Sequence, residues 1–116
     1  MATVTVTTGT FNALAEGEGI VLIDFWAAWC GPCRRFAPVY ETASERHDDI
    51  VFGKVDTEAE PVLAERFGIA SIPTLMAIRD GVIVYAEPGA LPDASLEKII
   101  KEVRALDMDD VRSRLS

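Results

Sequence analysis

Ile20-Val21-Leu22-Ile23-Asp24-Phe25-Trp26-Ala27-Ala28-Trp29-Cys30-Gly31-Pro32-Cys33 carries the clearest signals of the fold of this chain. Its first part is apolar except for Asp24 and is too short for a typical helix. A short run that is apolar on both faces is typical of a central strand covered on both sides, as in a parallel sheet. Apolar residues recur at helical spacing directly after Cys33. The stretch therefore predicts a strand, a short loop and a helix, with Cys30 at or near the helix N-terminus.

The rest of the chain alternates between strand and helix patterns. Strands are predicted at Val4–Val6, Ile50–Val55, Thr74–Ile78 and Val82–Tyr85. Further helices are predicted around Phe11–Ala15, with Thr8 or Thr10 as the cap, around Val62–Phe67 and around Leu96–Val103. The pair Asp80-Gly81 lies between the last two strands, where it is a strong hairpin signal.

This alternation predicts one α/β domain over residues 1–106. Its central mixed sheet should have about five strands, with a parallel core and a C-terminal antiparallel hairpin, and about four helices should flank it. Residues 107–116 are expected to form a polar tail or an extension of the last helix. A chain of 116 residues is long enough to bury a sizeable core as one domain.

Composition and charge argue against several classes of function. The net charge of −8 is opposite to what binding to nucleic acid or to an anionic membrane surface requires. No segment reaches the roughly 18 consecutive apolar residues of a membrane-spanning helix. Residues 1–8 have neither the basic start nor the apolar block of a secretory signal. We therefore expect a cytoplasmic protein with no nucleic-acid or membrane partner, and we also expect it to be a monomer.

The two cysteines, Cys30 and Cys33, are the only ones in the chain. As a structural crosslink, a loop this short is worth about 2 kcal/mol, against roughly 3 kcal/mol for a 15-residue loop, before any strain is subtracted. A structural zinc site needs four ligands, and beyond the pair the sequence offers one histidine, His47. In a reducing cytosol such a pair is more often catalytic or metal-binding than structural. The pattern therefore favours a pair that cycles between dithiol and disulfide.

The predicted helix start also assigns different roles to the two thiols. Unpaired backbone amides and the helix dipole at the N-terminus favour a thiolate at Cys30, and the thiolate is the nucleophile. Cys33 lies one turn further on, where it can attack a mixed disulfide on Cys30 and release the reduced substrate. Gly31 and Pro32 hold the pair in a tight turn.

At these residues the chain resembles the thioredoxin family. The family's active-site signature is matched from Asp24 to Cys33, and further motifs fall where the family pattern places them: Pro38, Lys54-Val55-Asp56, Phe67-Gly68-Ile69, Ser71-Ile72-Pro73-Thr74, Asp80-Gly81 and Gly89-Ala90. The resemblance covers roughly residues 4–106. It implies a thioredoxin fold and a protein-disulfide reductase that is reduced again by thioredoxin reductase, an NADPH-dependent flavoprotein. No bound cofactor and no metal are implied for this chain, whose redox group would be the Cys30–Cys33 disulfide.

The resemblance also implies roles for residues around the cysteines. Asp24 would act as the general base or acid that moves the proton of Cys33, with Lys54 modulating it. The Ile72-Pro73 bond would be cis, so that the backbone of Ile72 can pair with an extended substrate segment. An apolar docking surface would be formed by seven residues: Trp29, Gly31, Pro32, Ile72, Pro73, Gly89 and Ala90.

Several alternatives stay open on the sequence alone. Asp24 could be a structural acid satisfied by a nearby donor, and Trp29 could serve packing only. His47 is interpreted as a solvated helix-end residue. The fold could instead serve a thiol oxidase or isomerase, or a binding module in which the thiols are incidental.

Three features depart from the family pattern. They are the pair Arg34-Arg35, Pro88 before Gly89, and the longer tail after Leu106. The first two border the docking surface and bear on the choice of partner rather than on the chemistry. Arg35 is either plain surface or a residue that tunes attraction for acidic partners.

Overall fold

A computed structural model describes residues 2–115 of the chain. Five strands form one sheet: β1 (Thr3–Thr5), β2 (Ile20–Trp26), β3 (Ile50–Asp56), β4 (Thr74–Arg79) and β5 (Val82–Pro88). Five helices are described: α1 (Thr8–Ala15), α2 (Gly31–Arg46), α3 (Pro61–Arg66), α4 (Asp93–Arg104) and α5 (Met108–Leu115).

The sheet has the strand order β1-β3-β2-β4-β5, with β2 in the centre. The strands β1, β3 and β2 run parallel, whereas β4 is antiparallel to β2 and forms a hairpin with β5. At the hairpin turn, φ is 50° at Asp80 and 82° at Gly81. Two successive positive φ values are what a tight two-residue hairpin turn requires, and Asp-Gly adopts them readily. The predicted parallel core and C-terminal hairpin are confirmed.

Both faces of β2 are covered, as its sequence predicts. Leu22 packs into a cluster with Phe36 and Tyr40 of α2, while Ile23 packs on the opposite face in a cluster with residues of α1 and α3. Side chains alternate along a strand, so Asp24 shares the face of Leu22, the face that α2 covers. This arrangement brings the acid of β2 beneath the helix that carries Cys33.

The start of α1 differs from the sequence prediction. Thr7 is the N-cap, not Thr8 or Thr10. The backbone amide of Thr7 donates a hydrogen bond to Oγ1 of Thr10 at 2.9 Å. Thr10 therefore stabilises the helix start from the N3 position, as in a capping box, and the cap lies one residue before Thr8 and three before Thr10.

Met108–Leu115 form a helix of their own, which is neither a polar tail nor an extension of α4. Oδ1 of Asp107 accepts hydrogen bonds from the amides of Asp109 and Asp110, at 3.1 and 3.2 Å, and so caps α5. Met108 at the start of α5 is only 7% exposed. The guanidinium of Arg79 donates to the carbonyls of Val103, Arg104 and Leu106 and satisfies the end of α4. The two helices therefore end and begin separately.

Candidate active site

The cysteine pair lies at the point where the central strand passes into α2. Cys30 is the N-cap of α2, and Pro32 lies in its first turn, where a missing amide costs nothing. The amide of Cys33 donates a hydrogen bond to Sγ of Cys30 at 3.2 Å. An N-terminal amide aimed at a sulfur stabilises negative charge on it, as the helix dipole does. The structure thus puts Cys30 where the sequence predicted it.

Cys30 and Cys33 are joined by a disulfide, with their Cα atoms 5.2 Å apart. Both residues are buried, at 4% and 3% exposure. They form a small apolar cluster with Ala27, against which Trp26 and Ile72 pack. The pair is therefore packed into the protein with little of either side chain exposed.

One of those loops carries the Ile72-Pro73 bond, which is cis, as expected. The carbonyl oxygen of Ile72 lies 3.6 Å from Sγ of Cys30. Gly89 is tied to the same loop, because its amide donates to the carbonyl of Pro73 at 2.8 Å. Gly89 has φ of 124°, a conformation that favours glycine. The structure thus brings the loops of Ile72-Pro73 and Gly89 to the disulfide.

Four further residues belong to the expected docking surface: Trp29, Gly31, Pro32 and Ala90. Trp29 precedes Cys30 and is 66% exposed, which does not fit a role in packing alone. Pro32 and Ala90 are exposed, and Gly31 is half-buried. The structure thus places an exposed indole next to a buried disulfide in the chain.

Asp24 is fully buried, at 0% exposure. Neither carboxylate oxygen has a hydrogen-bond partner among the residues described. Burial raises the pKa of Asp24 from its ordinary value of 3.8 to about 7, and the charge of Lys54 opposes part of that rise. Within residues 2–115, the nearby donor that a structural role for Asp24 would need is not found among the hydrogen bonds of the chain. A carboxyl with this pKa can accept or donate a proton near neutral pH.

Lys54 is the register partner of Asp24 across the parallel pair β2–β3. Its Nζ lies 5.2 Å from the centre of the Trp26 ring. Lys54 also lines a cavity of about 110 Å³ together with Cys33 and Arg34. The inner cysteine and the lysine thus share one small space.

Two nearby contacts have no signal in the sequence. The hydroxyl of Tyr40 donates to the carbonyl of Gly53 at 2.8 Å, and the pKa of Tyr40 is raised by burial and by the charge of Asp24. Nη1 of Arg34 donates to the carbonyl of Ala28 at 2.8 Å, across the loop that carries Trp29. The partners of these bonds depend on the folded chain, so no local pattern could reveal them.

His47 is not the solvated residue that its sequence suggested. Nε2 of His47 lies 2.8 Å from Oε1 of Glu97, and Nδ1 lies 2.9 Å from Nη2 of Arg104. The side chain is 17% exposed. Arginine can only donate, so Nδ1 accepts and Nε2 carries the proton. His47 therefore links the end of α2 to α4.

Within residues 2–115, no group of three or more potential ligands could hold a metal ion.

The fold and the disulfide at the helix start define the class of thiol–disulfide oxidoreductases. The Thioredoxin family model matches residues 2–102. The chain belongs to the thioredoxin family. No helix within the described residues has the length and hydrophobicity to cross a membrane.

Individual relatives agree with this assignment. The chain is 56% identical over 115 residues to a Streptomyces coelicolor protein named thioredoxin 2. The match covers 99% of this chain and 86% of that protein. It is 42% identical over 103 residues to the thioredoxin of Alicyclobacillus acidocaldarius, with 88% and 98% covered. Among solved structures, a mutant thioredoxin from Halobacterium salinarum gives a TM-score of 0.81 at 30% identity, with 90% of this chain and 92% of that chain covered.

These relatives and the disulfide-forming pair establish the reaction class. The protein is a thiol–disulfide oxidoreductase that reduces disulfides through Cys30 and Cys33. Its redox-active group is the disulfide of its own chain.

Proposed function

We propose that Cys30 attacks the disulfide of a protein substrate and that Cys33 resolves the product. The observation that carries this order is the position of Cys30 as N-cap of α2, where its sulfur accepts the amide of Cys33 at 3.2 Å. Negative charge is favoured there, and the thiolate is the reactive form. Cys33 lies inside the first turn and is less suited to meet a substrate.

The proposed exchange balances without any bound cofactor. The Cys30 thiolate forms a bond to one substrate sulfur, and the substrate disulfide breaks to release one thiolate. The Cys33 thiolate then attacks Sγ of Cys30, which releases the second substrate thiolate and forms the Cys30–Cys33 disulfide. Two electrons pass from the protein to the substrate, which takes up two protons as it becomes a dithiol.

Asp24 is proposed to accept the proton of Cys33 before the second attack. Its pKa of about 7 suits a group that must take up and give back a proton near neutral pH. Lys54, the register partner of Asp24, would tune that pKa through its charge. This role is supported by the position of Asp24 on the face of the sheet that α2, the helix of Cys33, covers.

The docking surface is proposed to hold an extended substrate segment beside Cys30. The carbonyl of Ile72, 3.6 Å from Sγ of Cys30, would pair with the substrate backbone. The exposed indole of Trp29 and the loops of Pro73, Gly89 and Ala90 would contact the substrate side chains, with Gly31 and Pro32 completing the surface.

The proposed partners are disulfide-containing proteins and an NADPH-dependent thioredoxin reductase that restores the dithiol. We place this cycle in the cytoplasm and expect a monomer. Residues 1–106 are proposed as the unit that carries the reaction, and residues 107–116 as an addition to it.

Insulin reduction tests this proposal. The full chain, with NADPH and a thioredoxin reductase, should consume NADPH and precipitate the insulin B chain, and Cys30→Ser should abolish both signals. Failure of the wild-type chain to reduce insulin from its chemically reduced dithiol state would contradict the proposal. Equilibration with glutathione separates the alternative direction, because an oxidase would stay reduced where a reductase becomes oxidised.

A further inference from the structure

Arg35 is the arginine that the fold leaves without a partner. Every other arginine donates a hydrogen bond to a carboxylate, a carbonyl or an amide oxygen. Arg35 is exposed, and across residues 2–115 it has no hydrogen bond, ion pair or ring contact. Its guanidinium is therefore available to bind a group outside the protein.

Because of the position of Arg35, a group bound to its guanidinium would lie near the cysteine pair. Arg35 lies four residues after Gly31, so the two share one face at the start of α2. Nη1 of Arg35 is 3.7 Å from the point that a Cβ on Gly31 would occupy. Gly31 directly follows Cys30 and belongs to the proposed docking surface. The guanidinium thus lies at the rim of that surface.

The two adjacent arginines differ in what the fold does with them. Arg34 is held by the carbonyl of Ala28 and contributes to the wall of the small cavity beside Cys33. Arg35 makes no such contact. The guanidinium of Arg34 is therefore fixed within the protein, whereas that of Arg35 can bind solvent or a partner.

Asp56, at this end of the sheet, forms no ion pair with Arg35 and is bound to backbone amides instead. Asp56 ends β3 in register with Trp26, and its Oδ1 accepts from the amides of Glu58 and Ala59. The chain as a whole carries a net charge of −8, which repels acidic partners. A cation without a partner at the docking rim is therefore a local exception to the overall charge.

We infer that Arg35 selects disulfide substrates that carry an acidic side chain beside the attacked cysteine; this inference rests on the reductase function proposed above. The substrate carboxylate pairs with the Arg35 guanidinium while the substrate disulfide lies over Cys30. A guanidinium suits this task because its fork of N–H donors matches a carboxylate.

The test uses three disulfide-bonded peptides that differ only at the two residues flanking one cysteine, which are Glu, Gln or Lys. The second-order rate of reduction by the reduced full chain is followed by its tryptophan fluorescence. Arg35→Gln is compared with Arg114→Gln. Arg114 lies in α5 with a side chain 77% exposed, so the two variants lose the same charge at different places.

At low salt, Arg35→Gln should lower the ratio of the Glu-peptide rate to the Lys-peptide rate about fivefold, the effect expected from an exposed charge pair. Arg114→Gln should keep the wild-type ratio. About 0.5 M salt should bring the wild-type ratio close to that of Arg35→Gln, because such a pair is screened.

Two outcomes would overturn the inference. If both variants change the ratio equally, net charge alone selects the substrate. If neither changes it, Arg35 is surface. The Gln peptide separates these results from a failure of the proposed function: a wild-type chain that does not reduce it is not a reductase of such disulfides, whatever Arg35 does.

Discussion

Asp24 and Lys54 are register partners on neighbouring strands, yet the carboxylate of Asp24 has no hydrogen-bond partner within the described chain. Nζ of Lys54 instead lies near the Trp26 ring, 5.2 Å from its centre. The lysine charge lowers the pKa of Asp24 only in part against the larger effect of burial. The buried carboxyl of Asp24 thus has a pKa close to neutral pH and is not held as a carboxylate in a salt bridge.

This arrangement makes the stability of the oxidised protein depend on pH. Between pH 4 and pH 7 the folded state keeps a proton on Asp24 that the unfolded chain has lost, so the free energy of unfolding falls as pH rises. The change from a pKa of 3.8 to about 7 corresponds to about 4 kcal/mol. The Asp24→Asn side chain cannot ionise, so its free energy of unfolding lacks this decrease with rising pH. Urea unfolding should therefore show the variant gaining up to about 4 kcal/mol over wild type between pH 4 and pH 8.

Asp48→Asn is the control, since Asp48 is an exposed acid. It should follow the wild-type pH dependence. If the free energies of unfolding of Asp24→Asn and wild type differed by a constant amount from pH 4 to pH 8, ionisation of Asp24 could not be the cause of the difference.

Lys54→Gln should raise the pKa of Asp24 above about 7, because the lysine charge is what lowers it. The carboxyl carbon of Asp24, followed by ¹³C NMR against pH in the oxidised protein, gives the value directly. Lys98→Gln removes an equal charge from an exposed position on α4 and should leave the titration of Asp24 where it is in wild type. A lower pKa in Lys54→Gln would contradict the assigned effect of Lys54.

Gly53 lies where β3 is in close contact with its neighbours. A Cβ there would be 2.7 Å from Cγ2 of Val6 and 2.9 Å from Cδ1 of Ile23. Gly53→Ala should therefore lower the free energy of unfolding by about 1–3 kcal/mol through overpacking. Gly17→Ala is the matched control, with its nearest contact at 3.7 Å. Equal stabilities of the two variants in urea would show that the strands can move apart at no cost.

Met108 tests whether α5 belongs to the folded unit. It is 7% exposed, so Met108→Ala should lower the free energy of unfolding by about 2 kcal/mol. Leu115→Ala, on the same helix at 68% exposure, should change it by less than about 0.5 kcal/mol. Thermal or urea unfolding compares the two. An unaffected Met108→Ala would mean that α5 contributes nothing to the fold.

The sequence could predict the elements whose signals are local. The apolar run of β2 and the Asp80-Gly81 turn each carry their structure within a few residues, and both are found as predicted. The helix start at Cys30 is likewise set by the adjacent strand, loop and proline.

Contacts between distant residues could not be predicted in this way. His47 meets Glu97 and Arg104, which are 50 and 57 residues further along the chain. The helix α5 depends on a cap at Asp107 and on the burial of Met108 against the folded domain, whereas its composition alone reads as a polar tail. For Asp24, its place in an apolar strand predicts burial and a raised pKa, whereas the lack of a hydrogen-bond partner within residues 2–115 depends on the folded chain.

Cys30 is proposed as the attacking thiol and Cys33 as the resolving thiol, and trapping the mixed disulfide distinguishes the two roles. Cys33→Ser and Cys30→Ser are each reduced, mixed with a disulfide-bonded peptide and analysed by intact mass under denaturing, non-reducing conditions. We expect Cys33→Ser to gain the mass of one peptide half through Cys30, while Cys30→Ser forms the adduct at least about tenfold more slowly. Equal rates in the two variants, or a faster adduct on Cys33, would overturn this assignment of roles.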